Sequence, residues 1–415
     1  MISRLLETLE GYREWALKVL SEMVSIPTVN PPGDKYEEFV EYAERVFRDL
    51  NMDVETFQVP KGYVAKHYPD YAEYPRYVVV GRMGSGKPVV QFNGHYDVVP
   101  PGSGWSRDPF KPLIERGKLY GRGAVDMKGG IASILLAIKA FTETIESFQG
   151  SLEVALVPDE EIGGATGTGY LVEERVSKPD YAVIAEPSGV NSVWIGHKGA
   201  FWAFVEIYGR QAHGSTPWKG INAFEYMVRV AQRFMEDYKR LIERKSSYYE
   251  YEDPEGAKPT VTIGGEVRGG AKVNIVPGYY AFSIDRRVIP EESLEEVEKE
   301  FLEFVEELAR EFREVRVKAK VRNKLPPAFT DPNSVLVRRM VEAVSEVTGR
   351  KPRLTVCLGG LDMHYYTEKG ISAITYGPGP MDKAHISDEY VSIDELIKVS
   401  KAYAILLYKL LARST

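Results

Sequence analysis

VVQFNGHYDVVPPGSGWSRDPFKPLIERGKLYGRGAVDMKGG, residues 89–130, opens on a short apolar run and ends where a longer one begins at Ile131. The first run, Val89–Asn93, reads as a strand and is followed at once by His95 and Asp97. The second run, Ile131–Glu146, has helical length, and Asp126 precedes it in a glycine-rich turn. Similar short runs recur at Tyr77–Gly81, Leu152–Pro158 and Tyr181–Ala185. Near-continuous Val, Ile and Ala in such runs mark strands buried on both faces, as in a mostly parallel α/β sheet. Ligands of these sheets collect beyond the carboxyl ends of the strands. His95, Glu160 and Glu186 each fall just past such an end.

Working outward, helical spacing predicts helices over Ser3–Met23 and Tyr36–Leu50. From about Val190 the grammar changes. A strand over Val193–Tyr208 leads to a helix at Ala223–Glu243, then strands at Thr260–Gly265 and Tyr279–Val288. A helix over Glu291–Phe312 and a strand over Val315–Val321 complete a split βαβ pattern. Leu325 onward restores the first grammar, with a helix at Ser334–Val347, strands at Leu354–Leu358 and Ile371–Tyr376, and a helix at Ile393–Leu410. The reading is one catalytic domain in two pieces, 1–189 and 324–415, interrupted by an inserted α+β two-layer domain at 190–323. A chain of 415 residues has room for both.

Composition narrows the function. A hydrophobic content of 44% with 27% charged residues is that of a soluble globular enzyme. The net charge of −7 is spread along the chain, with no basic stripe or tail, which argues against nucleic-acid binding. Cys357 is the only cysteine, so no disulfide framework exists; it reads as a small buried residue in a protein of a reducing, cytoplasmic compartment. No run of about 18 apolar residues could span a membrane. The first helix is amphipathic and lacks a signal-peptide block.

Five segments supply the chemistry: QFNGHYDVVPPG, GRGAVDMKGG, VPDEEIGG, IAEPSG and GPMDKAHISDE. They offer His95 and His385 as imidazoles, and Asp126, Glu161 and Glu186 as carboxylates. One carboxylate bridging two cations, with a further carboxylate and an imidazole on each, makes a dinuclear site. Without thiolate the set suits Zn²⁺, with Co²⁺ or Mn²⁺ as alternatives. Asp126 alone could cap a helix, and an adjacent Glu pair is usually a solvated loop. Their joint occurrence at glycine-rich strand ends points instead to metal. Asp97, two residues from His95, is placed to orient its imidazole. Glu160 and Glu161 cannot both face one cation from a regular strand, so Glu161 is the ligand and Glu160 the general base.

GHYDVVPPGSGWSRDPFKPLIERGKLYGRGAVDMKGG, VPDEEIGG, AEPSG, AHGSTPWKGINA and the late AHISDE together resemble the signature of one superfamily. It contains acetylornithine deacetylase, succinyl-diaminopimelate desuccinylase, aminoacylase and glutamate carboxypeptidase. The resemblance spans essentially the whole chain. It implies a dizinc exopeptidase-like catalytic domain interrupted by a lid that mediates homodimerisation. It implies that His95, Asp126 and Glu186 hold one zinc, and that Asp126 bridges to a second held by Glu161 and His385. His213 matches a histidine that stabilises the tetrahedral oxyanion, often from the partner subunit. Asn274 and Arg287 match residues that grip a substrate carboxylate, for which the arginine fork is suited; Arg286 is the alternative. Gly359 and Gly360 match a substrate loop, but Leu361 stands where many relatives carry Ser or Thr.

The expected activity is hydrolysis of an amide bond in an N-acyl amino acid or short peptide bearing a free carboxylate, with Glu160 as general base at a metal-activated water. An aminopeptidase or di- or tripeptidase on the same site is the competing enzyme, and a metal-stabilised binding protein the non-enzymatic alternative. The aromatic tract His67–Tyr77 carries no assigned role, and His67, His197 and His364 read as structural.

Overall fold

The computed structural model describes residues 1–412. The chain forms two compact units. One comprises Met1–Ile195, Thr330–Thr355 and the segment from Leu361 onward; the other comprises Gly196–Phe329 and Val356–Gly360. The hand-over thus falls at Gly196 and Thr330, and a short third crossing occurs after Thr355.

In the first unit the sheet runs in the order Asp53–Gln58, Tyr77–Ser85, Gly150–Val157, Val89–His95, Tyr181–Ile184, Ser372–Thr375, Ser192–His197. The four strands from Gly150–Val157 to Ser372–Thr375 are mutually parallel; each strand outside them pairs antiparallel with its neighbour. Val, Ile and Ala dominate the central strands because both faces are covered. Phe92 and Gly94, on one face, meet Tyr403 of the helix Ile393–Leu411 and Ile131 of the helix Gly129–Thr144. Gln91 and Asn93, on the other, bond the Tyr366 hydroxyl of the short helix Met363–Thr367. Helix Gly129–Thr144 is apolar almost all round because it is buried almost all round.

The second unit is a four-stranded antiparallel sheet in the order Thr260–Gly269, Tyr279–Val288, Gly199–Tyr208, Arg316–Leu325. One layer of two helices covers one face: Ala223–Arg233 with its continuation to Glu243, and Leu294–Glu311. Asn222 and Ser293 cap these helices by accepting from the Phe224 and Glu296 amides. Phe201, Phe234, Phe301 and Phe304 interlock in the core between them. Truncating any of these rings to Ala removes about 3–5 kcal/mol.

Several sequence expectations need correcting. The predicted helix Ser3–Met23 is two helices, Ile2–Gly11 and Arg13–Ser25, because Tyr12 leaves helical geometry at φ −100°, ψ 10°. The single strand Val193–Tyr208 is two strands, Ser192–His197 and Gly199–Tyr208, in different sheets. The hand-over falls at the interruption Gly196-His197-Lys198-Gly199 between two apolar runs, a local break that the single-strand reading passes over. Thr260–Gly265 extends to Gly269 through a register shift between Ile263 and Val267. A row of basic residues also exists: Arg316, Lys318, Lys320, Arg322 and Lys324 alternate along the exposed face of an edge strand. Edge strands carry such charge to discourage pairing with other chains. Among the described residues no helix is long and apolar enough to cross a membrane.

Candidate metal centre

The parallel register brings the motifs to one sheet edge. His95 pairs level with Val157, Asn93 with Ile184, and Thr375 with Ile184. The turns bearing His95–Asp97, Glu160–Glu161 and Glu186, and the segment bearing His385, therefore all leave the sheet on the same side. Asp126 arrives from the turn Ala124–Lys128, ahead of the helix Gly129–Thr144. Gly130 explains how close that helix comes: a Cβ there would lie 2.1 Å from the Ala185 carbonyl oxygen. Only glycine lets the start of the helix lie against the residue preceding Glu186.

Two donor clusters result, His95–Asp126–Glu186 and Asp126–Glu161–His385. Asp126 belongs to both. Its Oδ1 lies 3.1 Å from His95 Nε2 and its Oδ2 3.1 Å from His385 Nε2. His95 Nε2 is 3.2 Å from Glu186 Oε1, and His385 Nε2 is 3.1 Å from Glu161 Oε2. His95, Asp126 and Glu186 are 1%, 7% and 3% exposed, whereas the His385 side chain is 52% exposed.

Proton affinities reflect this crowding. Burial, followed by the Asp126 charge, pushes both Glu161 and Glu186 up to about 7. Burial and then Glu186 hold Glu160 well above the usual carboxylate range. Burial alone would keep His95 neutral, but Glu186, Asp126 and Asp97 raise it well above the ordinary imidazole value. Hydrogen bonds to Asp126 and Glu161 lift His385 to about 10. Burial disfavours an ionised Asp126, but the two histidines outweigh it and hold the carboxyl low. Carboxylates this close repel unless positive charge lies between them. Protons on the histidines serve here; divalent cations among imidazole and carboxylate donors would serve better.

The turn that follows Pro158 separates the two adjacent glutamates. It is a 3₁₀ turn, Glu160–Ile162, in which Glu161 faces His385 and Glu160 makes neither histidine contact. Asp97 holds the turn by accepting from the Glu160 and Glu161 amides at 3.3 Å each and from Asn30 at 2.8 Å. His95 Nδ1 lies closer to the Asp97 carbonyl, at 3.0 Å, than to its carboxylate, at 3.5 Å. The imidazole is therefore oriented first by the backbone of Asp97, while the Asp97 carboxylate serves chiefly the glutamate turn.

Residues that the sequence did not single out support these donors. Asp159, at φ 66°, accepts from Arg76 at 2.8 Å, Tyr36 at 2.9 Å and Asn30 at 3.1 Å, and from Thr166. Glu389 accepts from the amides of Val125, at 2.9 Å, and Asp126, at 3.3 Å, and from Arg122 at 2.5 Å. Arg122, Asp159 and Glu389 lay inside the motifs themselves, which was a usable signal; Arg76 and Tyr36 had none. The aromatic tract also acquires a place. Tyr68 accepts from the Ala165 amide at 3.1 Å, and Tyr365 donates to the Gly163 carbonyl at 2.7 Å. Gly163 and Gly164, at φ 113° and 68°, make the left-handed bend that these tyrosines pin. His364 bonds the Leu361 carbonyl at 2.9 Å, and burial lowers it to about 4, so it stays neutral.

In the second unit His213 is exposed on a two-residue strand, level with Ile275 and so beside Asn274. Its Nδ1 lies 2.7 Å from the Ser215 hydroxyl. Arg286 is fully buried and bonds Glu292 at 2.6 Å. Arg287 points to the opposite face, one-third exposed, with Nε 3.0 Å from Asp285 Oδ1. Gly360 packs against Leu325, which a Cβ would approach to 2.8 Å. Leu361 is buried.

Comparison with known proteins agrees with this geometry. The profile described as Peptidase family M20/M25/M40 matches residues 91–409. An uncharacterised metallohydrolase of Methanocaldococcus jannaschii is 30% identical, covering 94% of this chain and 98% of its own length. A succinyl-diaminopimelate desuccinylase of a Nitratiruptor species is 31% identical over 77% of this chain and 83% of its own. In structure, an M20 family metallo-carboxypeptidase of Sulfolobus solfataricus superposes with a TM-score of 0.73 at 20% identity, covering 95% of this chain and 98% of that one.

Proposed function

The chain belongs to peptidase family M20/M25/M40 and is an enzyme of the metallohydrolase class; from that premise we propose that it cleaves the amide bond of an N-acyl amino acid or short peptide bearing a free carboxylate. The observation that carries this reading is the pair of three-residue donor clusters sharing Asp126. His95, Asp126 and Glu186 would hold one divalent cation, and Asp126, Glu161 and His385 a second, with Zn²⁺ the natural occupant and Co²⁺ or Mn²⁺ substitutes. When bound, the cations supply Lewis acidity to the scissile carbonyl and lower the pKa of water.

The remaining steps belong to side chains. Glu160, with no histidine contact, takes a proton from the attacking water and delivers it to the leaving nitrogen. Asp97 keeps Glu160 and Glu161 on their separate courses through the two backbone amides it accepts. His213 donates to the oxyanion of the tetrahedral intermediate. Arg287 binds the substrate carboxylate with its planar fork, and Asn274 adds a neutral donor. Arg286 is not used for this purpose, since its guanidinium is committed to Glu292 in the core. Gly360 lines the substrate loop. The protein acts in the cytoplasm as a homodimer joined through the inserted unit, which brings His213 to the site of its partner.

Similarity to a desuccinylase favours an acyl amino acid bearing an additional charged group; the fold shared with a carboxypeptidase keeps short peptides in play. One panel tests the reading: N-acetyl and N-succinyl amino acids and N-blocked or free dipeptides, assayed with Zn²⁺ or Co²⁺ and again after chelation. Turnover of carboxylate-bearing substrates that is lost on chelation and restored by the ion supports it. Preference for substrates with the carboxylate amidated, or activity indifferent to chelation, sinks it.

A further inference from the structure

The segment bearing His385 is tied to the loop bearing Asp126 at three points. The Ser106 amide and hydroxyl donate to Asp388 Oδ1 at 3.1 and 3.0 Å. The Gly121 amide donates to the Glu389 carbonyl at 3.0 Å. The Glu389 carboxylate then divides its labour, Oε1 receiving the Val125 and Asp126 amides and Oε2 receiving Arg122. Glu389 and Arg122 are essentially unexposed. Arg122 also donates to the Pro101 carbonyl at 3.3 Å and lies over the Trp105 ring, with its guanidinium carbon 5.3 Å from the centroid.

This arrangement has a clear physical consequence. Asp126 must offer one oxygen toward His95 and the other toward His385, so its backbone cannot swing. Its φ of −120° and ψ of 93° depart from the helix that begins three residues later, so intrahelical hydrogen bonds do not hold it. The buried carboxylate of Glu389 supplies what the helix does not, a charge-assisted acceptor for two successive amides. Arg122 supplies the countercharge without which that carboxylate would be costly to bury. The pair also joins sequence segments on either side of the insert, 122–126 and 385–389.

We propose that Glu389 and Arg122 are positioning residues of the metal centre, which set the affinity of the shared Asp126 by immobilising its backbone. The inference rests on the proposed metal site. The test is calorimetric titration of Co²⁺ or Zn²⁺ into the full-length, chelator-treated protein, with thermal melting of the metal-free form alongside. Glu389→Ala is expected to weaken ion binding by roughly ten- to a hundred-fold, as loss of such outer contacts does. It should also lower the metal-free melting point by stranding Arg122. The double variant R122M/E389M removes both charges, so its melting point should recover while its ion affinity stays low. Glu389→Gln retains an acceptor oxygen and should fall between. A purely structural pair would make affinity follow the melting point, and wild-type affinity in the double variant overturns the proposal. Asp126→Asn separates the two levels of inference. If it leaves ion binding unchanged, the metal site itself is wrong; if it abolishes binding while Glu389→Ala and the double variant bind normally, only the positioning role fails.

Discussion

The buried part of the candidate metal centre, from which the half-exposed His385 stands apart, and the residues of the inserted unit are built on opposite plans. His95, Asp97, Asp126 and Glu186 are at most 7% exposed, and each is held by several neighbours. His213 and Asn274 are exposed; His213 has Ser215 as its side-chain partner, and Arg287 has Asp285. Buried charge must be compensated from all sides, or folding fails before function is considered. A centre made this way is rigid because its neighbours already bond one another. The residues proposed to meet a ligand are more exposed and have short-range partners, Ser215 and Asp285, which a ligand could replace.

This contrast is open to test, beginning with the largest effect. Glu160→Gln is expected to lower kcat by about 10²–10⁴-fold while the metal content stays at the wild-type value. Loss of metal together with activity would show that Glu160 is a ligand and blur the division. His213→Ala should reduce kcat by about 10²–10³-fold, the cost of one oxyanion donor, without altering metal content. Mixing the inactive Glu160→Gln and His213→Ala chains should then restore turnover if the insert acts across a dimer. No recovery assigns His213 to its own subunit. Arg287→Ala should raise KM by roughly 10–100-fold with kcat little changed, since a charged hydrogen bond is worth about 1.5–3 kcal/mol. The same loss must vanish for a substrate lacking the carboxylate.

The smallest effect concerns pH. His385 is raised to about 10, and Glu161 and Glu186 to about 7, so the metal-free folded chain holds protons that the unfolded chain releases. Its stability should therefore fall as pH rises from the ordinary carboxylate range toward 10. Asp126, held low, adds an opposing slope only below that range. Metal binding needs these donors deprotonated, so the melting-point gap between loaded and chelated protein should widen from about pH 5.5 to about pH 8. A gap independent of pH would mean that the titrating donors do not bind the ion.

The candidate donors were legible because each rides on a local signal. His95, Glu161 and Glu186 follow short apolar runs, and Asp126 and His385 sit among glycines and prolines. Asn274 and Arg287 lack such signals and were readable only through resemblance. Glu389 stands four residues after His385 inside the same motif, but nothing local marks it as the partner of Arg122. Arg76 and Tyr36 were invisible, since nothing near either one announces that Asp159 lies buried opposite. The strand over Val193–Tyr208 is two strands because the chain changes sheets at Gly196–Gly199, where a Gly-His-Lys-Gly break interrupts the apolar run.

Sequence alone pointed to the side chains that could bind metal, to an α/β sheet whose strands precede three of them, and to a second unit interrupting the first. Those are local properties, written in periodicity, residue type and glycine placement. Tertiary structure alone decided that Asp126 turns one oxygen to each histidine and that Glu160 and Glu161 part company on a 3₁₀ turn. It alone committed Arg286 to the core and left Arg287 one-third exposed. These depend on parallel register and on buried partners tens to hundreds of residues away, such as Asn30 with Asp97 and Arg122 with Glu389. Pairings of that kind exist only once the chain has closed.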